Sequence, residues 1–318
     1  MASSAPHNHA HARFLDFTKM HGHANDFMIS YSEERLHVTK ETVIKWADRR
    51  RGVGFDQLLL VHHTEGHGAD RKLVYAIYNS DGTAAEQCGN GARCVARLLF
   101  DAGHTKISPE GDARSFTIYT DIGRVPINAV VEADGQVSVN LGRPSPIDLL
   151  PQCGPGGAVP LLDSRLDGEW ECARCVNVTT PWGTFDVVAT SMGNPHGVVF
   201  VEDVHTIPFK ELGEYLQNRH LLFRDGANVE FVQAATPQHA VTRIMERGAG
   251  ETDCCGSGAC AVGVAMFMRY GTQQTRVSMP GGDLQVALQV AEAGRGDIIA
   301  VTLKGPAEYC YSGRVQLD

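Results

Sequence analysis

Two fragments of this 318-residue chain carry residues suited to chemistry: AEQCGNGARCVA at 85–96 and ERGAGETDCCGSGACA at 246–261. In each, a cysteine, Cys88 or Cys255, precedes glycines and then a largely apolar helical stretch. Both thiols are therefore expected at helix N-termini, where the backbone offers unsatisfied N–H groups and about half a unit of positive charge. Such a position favours the thiolate, and the thiol pKa is expected below its ordinary value of roughly 8.5. The glycines leave the N–H groups uncovered, so a substrate carboxylate can approach the backbone closely.

Two thiols on opposite sides of one bound molecule suit a particular reaction class. Taking a proton from one face of a carbon and returning one to the other inverts a stereocentre, which needs two acid–base groups in opposite protonation states. One thiol and one thiolate meet that need, and they titrate as a coupled unit. Charge developing next to a carboxylate spreads into it and is met by both helix ends.

The elements that place these thiols are duplicated. Cys88 and Cys255 lie 167 residues apart, as do Asn79, ending LVYAIYN, and Glu246, ending VTRIMER. Asn25 in HGHANDF meets Asn194 in SMGNPHG at 169, and Gln57 meets Asn228 at 171. Between the markers run short strand-like segments with alternating or β-branched character, among them QLLLVHH, SFTIYT, GTFDVVAT, ANVEFVQ and DIIAVTL. The helices after Cys88 and Cys255 are apolar around most of their circumference and should be buried, whereas ETVIKWADRR and FKELGEYLQNR should pack outside. The expected fold is α+β: two pseudo-symmetric domains from a tandem duplication, each a curved, mainly antiparallel sheet wrapped around a central helix. Segment 142–170, rich in Gly and Pro, reads as the crossing between halves.

Composition narrows the partners. Hydrophobic residues make up 43% and charged residues 20%, and no apolar run approaches the roughly 18 residues of a membrane-spanning helix. The net charge is −9, and Lys and Arg never cluster beyond RRR at 49–51, which argues against nucleic acid and for a small-molecule partner. MASSAPHNHAHA lacks the features of a signal peptide, so a cytoplasmic setting with reduced thiols is expected. His7, His9 and His11 read as part of a solvated tail. The nine cysteines are odd in number and irregularly spaced, pointing to free thiols.

Plainer readings compete. A lone cysteine is more often a small buried hydrophobe than a catalyst; the symmetric repetition changes that weighting. GSGACA fits a dinucleotide fingerprint, but polar, turn-like ERGAGETDC precedes it where a buried strand is required. CARC at 172–175, with Cys153, lacks a convincing fourth zinc ligand, so surface thiols are expected there. His196 in GNPH fits a packed histidine equally well, but its place opposite HGHANDF favours a functional role. Glu246 and Arg247 follow a strand and open the cysteine loop, which sets them at the cleft. Buried Asn and Gln are costly unless hydrogen-bonded, and four at matching positions suggest ligand contacts.

HGHANDF, GFDQ at 54–57, YNSDGTAAEQCGNGARC, SMGNPH, ANVEF and ERGAGETDCCGSGACA together resemble the diaminopimelate epimerase family, over residues 14–318. The resemblance implies a homodimeric isomerase, independent of PLP or any other cofactor and without a metal, that interconverts LL- and meso-2,6-diaminoheptanedioate for lysine and peptidoglycan synthesis. It further implies a first domain of 14–140 plus 307–318 and a second of 141–306; the tail at 1–13, which its His and Ala content marks as disordered, has no family counterpart. By position, Cys88 and Cys255 resemble the family's acid–bases, supported by His196 and Glu246. Asn25, Gln57, Asn79, Asn194, Asn228, Glu246 and Arg247 resemble its substrate contacts. Gly89 with Asn90, and Gly256 with Ser257, supply the helix-end groups. Two departures stand out: Ala24, where the family usually has Gly, and Cys254, where Ala is common.

Two rival readings remain. An epimerase of histidine or hydroxyproline type should alter the distal contacts, which are intact here. A silent amino acid sensor should lose one cysteine, and both are present. With two thiols flanking one carbon, a Cys88–Cys255 disulfide on oxidation, and activity that depends on reductant, are expected.

Overall fold

The computed structural model describes residues 13–64, 72–105, 114–147, 149, 158–160, 172–217, 222–291 and 297–317. Tail residues 1–12, Cys153 and much of the 142–170 crossing lie outside the described residues. The first part of the chain forms β1 (Arg13–Gly22), β2 (Asn25–Ser32), α1 (Lys40–Ala47), β3 (Gln57–His63) and β4 (Leu73–Asn79). It continues through β5 (Ala84–Ala85), α2 (Gly89–Asp101), β6 (Ser115–Thr120), β7 (Pro126–Val131) and β8 (Val137–Asn140). After β9 (Ser145–Pro146) and β10 (Ala158–Pro160) come β11 (Ala173–Thr180), β12 (Gly183–Ser191), β13 (Pro195–Phe200), α3 (Phe209–Gln217) and β14 (Asn228–Thr236). Next are β15 (His239–Glu246), β16 (Gly250–Thr252), α4 (Gly256–Tyr270), β17 (Gln274–Met279), β18 (Gly282–Val290) and β19 (Ile298–Gly305), and last β20 (Glu308–Leu317).

The strand pairing repeats. In the first half β2 runs parallel to β3, β3 antiparallel to β4, β4 parallel to β6, and β6, β7 and β8 form a meander. In the second, β13, β14, β15, β17, β18 and β19 pair in the same sequence and the same senses. The two runs join where β8 pairs with β19, and β20 returns to lie antiparallel to β1. The polar markers keep equivalent places: Gln57 and Asn228 open β3 and β14, while Asn79 and Glu246 close β4 and β15.

Side-chain alternation along β3 explains the layering. Leu58 and Leu60 pack with Val43 and Trp46 of α1 on the outer face, whereas Leu59 and Val61 pack with Ala92, Val95 and Leu99 of α2 on the inner face. In the second half, Val229 and Phe231 of β14 meet Leu212 and Leu216 of α3 outside, and Val232 joins Val262 and Met266 of α4 inside. Each central helix is thus wrapped by its sheet, and the cores of α2 and α4 fuse into one cluster. Burying a Leu- or Val-sized side chain contributes about 1.5–3 kcal/mol, so these helices are held by packing on nearly every face.

Cys172 and Cys175 differ from expectation. They are not surface thiols: Cys172, just before β11, is buried, and Cys175, within it, packs partly covered against the main core, so each is shielded by its packing neighbours. All eight described cysteines are free, and no group of three His, Cys, Asp or Glu suited to a metal occurs among the described residues. Among the described residues no helix is long and apolar enough to cross a membrane.

Candidate active site

The helix starts carry the site. Cys88 is the N-cap of α2 and Cys255 the N-cap of α4, both with extended backbone. The Gly91 N–H donates to Cys88 Sγ at 3.3 Å and the Gly258 N–H to Cys255 Sγ at 3.4 Å. Each sulfur thus takes the role that a serine oxygen usually plays in capping a helix. Glycine is required just behind them: a Cβ on Gly258 would stand 2.8 Å from Glu230 Oε1, and one on Gly256 only 3.0 Å from Asn90 Oδ1.

Both helix ends open on one cleft of about 870 Å³, lined by both cysteines and by side chains from both halves. Of the expected contacts, Asn25, Gln57, Asn79, Gly89, Asn90, Asn194, Glu246, Arg247, Gly256 and Ser257 line it. His196 and Asn228 stand behind the wall. His196 is fully buried, with Nδ1 bonded to Glu230 Oε1 at 2.7 Å and Nε2 to Asn194 Oδ1 at 3.0 Å. Asn228 Oδ1 accepts from the Arg247 N–H at 2.8 Å and so fixes the loop that opens the cysteine segment.

Side chains within the cleft are partly satisfied among themselves. Gln57 Nε2 donates to Asn79 Oδ1 at 2.9 Å, Asn79 Nδ2 to Thr83 Oγ1 at 3.1 Å, and Asn90 Nδ2 to Asn25 Oδ1 at 3.3 Å. Gln57 Oε1, Asn90 Oδ1 and Gln87 Nε2 are buried without a partner. Buried polar groups are nearly always paired, so three unpaired amide atoms around one cleft are free to meet a polar ligand. The Arg247 guanidinium donates to the Asp225 carbonyl at 3.0 Å through one nitrogen, NH1. Arg49 also faces the cleft, but it is committed to Asp26 and Asp56.

The surroundings shift both thiols in the direction opposite to the sequence expectation. Burial pushes Cys88 up to about 11; the Gly91 N–H pulls it back, Glu246 raises it further and Arg93 lowers it. Burial also pushes Cys255 well above its ordinary value, with Glu246 and Glu230 adding to the rise and Ser257 and the Gly258 N–H opposing it. A helix end is a partial charge, and here desolvation and nearby carboxylates outweigh it. Burial raises Glu246 as well, although hydrogen bonds with Thr252 and Cys255 offset part of the rise. Glu246 is thereby a stronger base beside the Cys255 thiol.

Three residues of the site were not anticipated. Glu230, on the inner face of β14, is fully buried against the Cys255 helix end; its only sequence signal was a charge inside the apolar run NVEFV. Gln87 lies against Gly193, whose added Cβ would meet its Oε1 at 2.9 Å, and its signal was its place beside Cys88. Arg93, fully buried in α2, had none. At the β1–β2 turn, His23 and Ala24 both adopt left-handed backbone, φ 54° and 65°, so Ala24 occupies a conformation that glycine takes without cost. His23 Nδ1 lies 3.0 Å from the Gly281 carbonyl, tying this turn to the other half.

The fold is duplicated, a sheet wrapped around a helix in each half, with a thiol at each of two helix ends on a shared polar cleft. This fold is shared with a hydroxyproline epimerase from Agrobacterium vitis, solved with bound trans-4-hydroxy-L-proline, at TM-score 0.64 and 14% identity, covering 96% of this chain and 93% of that one. A PhzF-family phenazine biosynthesis protein from Bacillus anthracis matches at TM-score 0.64 and 16% identity, covering 96% and 100%. The family model described as "Diaminopimelate epimerase" matches residues 17–147 and 188–309. Diaminopimelate epimerases from Azotobacter vinelandii and Pseudomonas syringae are 40% and 37% identical over 95% of this chain and 99% of theirs. The chain belongs to the diaminopimelate epimerase family.

Proposed function

We propose that the protein is a cofactor-independent isomerase that interconverts LL- and meso-2,6-diaminoheptanedioate by a two-thiol proton transfer. The observation that carries this reading is the pair of cysteines capping two helices at one cleft. One thiolate removes the α-proton, the opposite thiol delivers a proton to the other face, and a return trip exchanges their roles. The α-carboxylate sits between the helix ends, where the N–H groups after Gly89 and Gly256 meet its growing charge. Glu246 supports Cys255 directly, and His196 acts through Asn194 and Glu230.

The distal amino acid head group needs paired polar contacts, since unmatched site groups penalise the wrong ligand heavily. We assign that end to Arg247 with Asn25, Gln57, Asn79 and Asn194, the guanidinium serving as a carboxylate fork, while Asn228 acts from behind by holding the Arg247 backbone N–H. We divide the chain into domains 14–140 plus 307–318 and 141–306, with the substrate between them. We also propose a homodimer in the cytoplasm. The dimer reading is supported by the outer edge of β20, an edge strand beside β1 on which Tyr309 and Tyr311 are exposed, the kind of edge that proteins usually cover.

The test is proton NMR of reduced protein in deuterium oxide with LL-diaminopimelate, alongside lysine, histidine, hydroxyproline and glutamate. Loss of the α-proton signal with appearance of the meso isomer, for diaminopimelate alone, is the expected result. Exchange with a different amino acid overturns the substrate but keeps the chemistry, and no exchange with any of them overturns the activity.

A further inference from the structure

We propose that Asp56 and Asp81 are positioning residues of the cleft: each anchors a relay of side-chain hydrogen bonds whose direction it sets, so that the relays end in two unpaired amide oxygens, Asn90 Oδ1 and Gln57 Oε1. The direction of the relays follows from the hydrogen bonds alone, whereas the use made of those oxygens rests on the reading of the cleft as an amino acid site.

A side-chain amide can turn over, exchanging its donor for its acceptor, and its neighbours decide which way it points. An ionised carboxylate decides it one way, because it accepts and never donates. In the first relay, Asn25 Nδ2 donates to Asp56 Oδ2 at 3.0 Å, so the oxygen of Asn25 is turned away from the carboxylate. That oxygen accepts from Asn90 Nδ2 at 3.3 Å, which leaves Asn90 Oδ1 as the last member, buried and without a partner. In the second relay, the Thr83 hydroxyl donates its proton to Asp81 Oδ1 at 2.6 Å. Toward its other neighbour it can therefore only accept, and it does so from Asn79 Nδ2 at 3.1 Å. Asn79 Oδ1 in turn accepts from Gln57 Nε2 at 2.9 Å, and Gln57 Oε1 is left over, again buried and unpaired.

The anchors are themselves held. Asp56 Oδ2 also accepts from the Asp26 N–H at 3.1 Å, and its Oδ1 accepts from Arg49 NH2 at 2.8 Å. Asp81 Oδ1 also accepts from the Thr83 N–H at 2.8 Å, and the two hydrogen bonds from Thr83, the hydroxyl first, hold its carboxyl below the ordinary range. The relays begin on either side of one strand pair, since Asp56 immediately precedes β3 and Asp81 lies just past the end of β4. Asp56, Asn25 and Asn90 line the cleft, as do Asp81, Asn79 and Gln57.

A wall whose relays end in oxygen suits a hydrogen-bond donor. Asn90 Oδ1 would stand only 3.0 Å from a Cβ on Gly256, which puts it between the two helix starts. The N–H groups of those helix starts suit a carboxylate, so one cleft offers opposite polarity to the two groups of an amino acid: backbone donors for the carboxylate, amide oxygens for an ammonium group. Buried acceptors left unpaired are costly, and an ammonium group relieves that cost.

The test reads the relays without substrate. In the full chain, hydrogen exchange of the assigned side-chain amides of Asn25, Asn90, Asn79 and Gln57 is followed by proton–nitrogen NMR. Asp56→Ala should speed exchange at Asn25 and Asn90 by about tenfold or more and leave Asn79 and Gln57 as in wild type, and Asp81→Ala should do the converse. Thr83→Val should act like Asp81→Ala, and Thr83→Ser like wild type. A general loosening of the fold would speed all of these amides in every variant; that pattern overturns the proposal, as does unchanged exchange in the relay whose anchor is gone. If Asp56→Ala fails to fold, Asp56→Asn carries the same expectation, and Thr83→Val replaces Asp81→Ala in the same way. With diaminopimelate, the KM of both Asp→Ala variants should rise about tenfold with kcat little changed, and a wild-type KM would overturn the ammonium assignment. If the wild-type protein exchanges no α-proton with any amino acid, the epimerase reading fails, while the amide pattern still decides the relays.

Discussion

Gly89 and Gly256, the first residues of the two central helices, lie back to back: a Cβ on Gly89 would stand 3.7 Å from the Gly256 Cα. The two thiols are thereby referenced to one another through backbone rather than through mobile side chains, which fixes the space between them for a reacting carbon. Gly256→Ala tests this. Its Cβ would meet Asn90 Oδ1 and Leu303 Cδ2 at 3.0 Å each and the Asn90 backbone nitrogen at 3.2 Å, so the neighbouring helix start must give by a few tenths of an ångström. A misplacement of this kind should lower kcat/KM by about 10- to 100-fold, with circular dichroism showing a folded protein; wild-type kinetics would contradict the shared reference.

Cys88→Ala and Cys255→Ala each remove one of two required proton carriers. Epimerisation should fall by at least about 10²–10⁴-fold in either variant, measured as meso isomer formed from the LL isomer. Full activity in one of them would refute a mechanism in which both thiols act.

The pH dependence follows from the direction of the thiol shifts. Burial places Cys88 at about 11 and Cys255 well above its ordinary value, so at neutral pH the thiolate is the scarce form. Raising the pH enlarges that fraction, and kcat/KM should climb between pH 7 and 9 by up to about tenfold per unit while one ionisation limits the rate. A profile that falls across this range would mean that the thiolate is already abundant.

Beside the cleft, Asp26 is bound by Arg49 through two hydrogen bonds, at 2.7 and 2.8 Å, and by Lys19. Burial pushes the Asp26 carboxyl up, but these partners outweigh it and hold it down at about 2. A depressed folded-state value gives stability above the unfolded carboxyl range that is lost as the pH falls through about 2. Arg49 is largely exposed, so the contribution is about 1–2 kcal/mol after screening. Asp26→Asn should cost that much in urea unfolding at pH 6, with the gap to wild type closing toward pH 2; a gap that persists there would assign the effect to packing.

Much of this was legible because duplication writes itself into spacing. The near-constant offsets that pair Asn25 with Asn194 and Asn79 with Glu246 foretold which strand ends would face one cleft, and the glycines after Cys88 and Cys255 foretold the helix ends. Glu230 and Arg93 were hidden for a physical reason. Each sits at a position where sequence periodicity shows only that a side chain points inward, and the partner that makes a buried charge tolerable or useful comes from a distant element. The direction of the thiol shifts was hidden for the same reason, since desolvation depends on what covers the sulfur. Cys172 and Cys175 were misread because their cover comes from core residues distant in sequence, which local spacing does not show.

The first strand of the fold is finished by the last: Arg13 pairs with Leu317 and Asp16 with Arg314, along the full length of β20. During synthesis, the half that leaves the ribosome first must wait with one edge of its sheet uncovered until β20 emerges. The first half is thus sealed only after the second has been made, and a truncation within β20 acts on the amino-terminal half. Because Arg13 and Leu317 already lie side by side, a short linker between them would suit circular permutation.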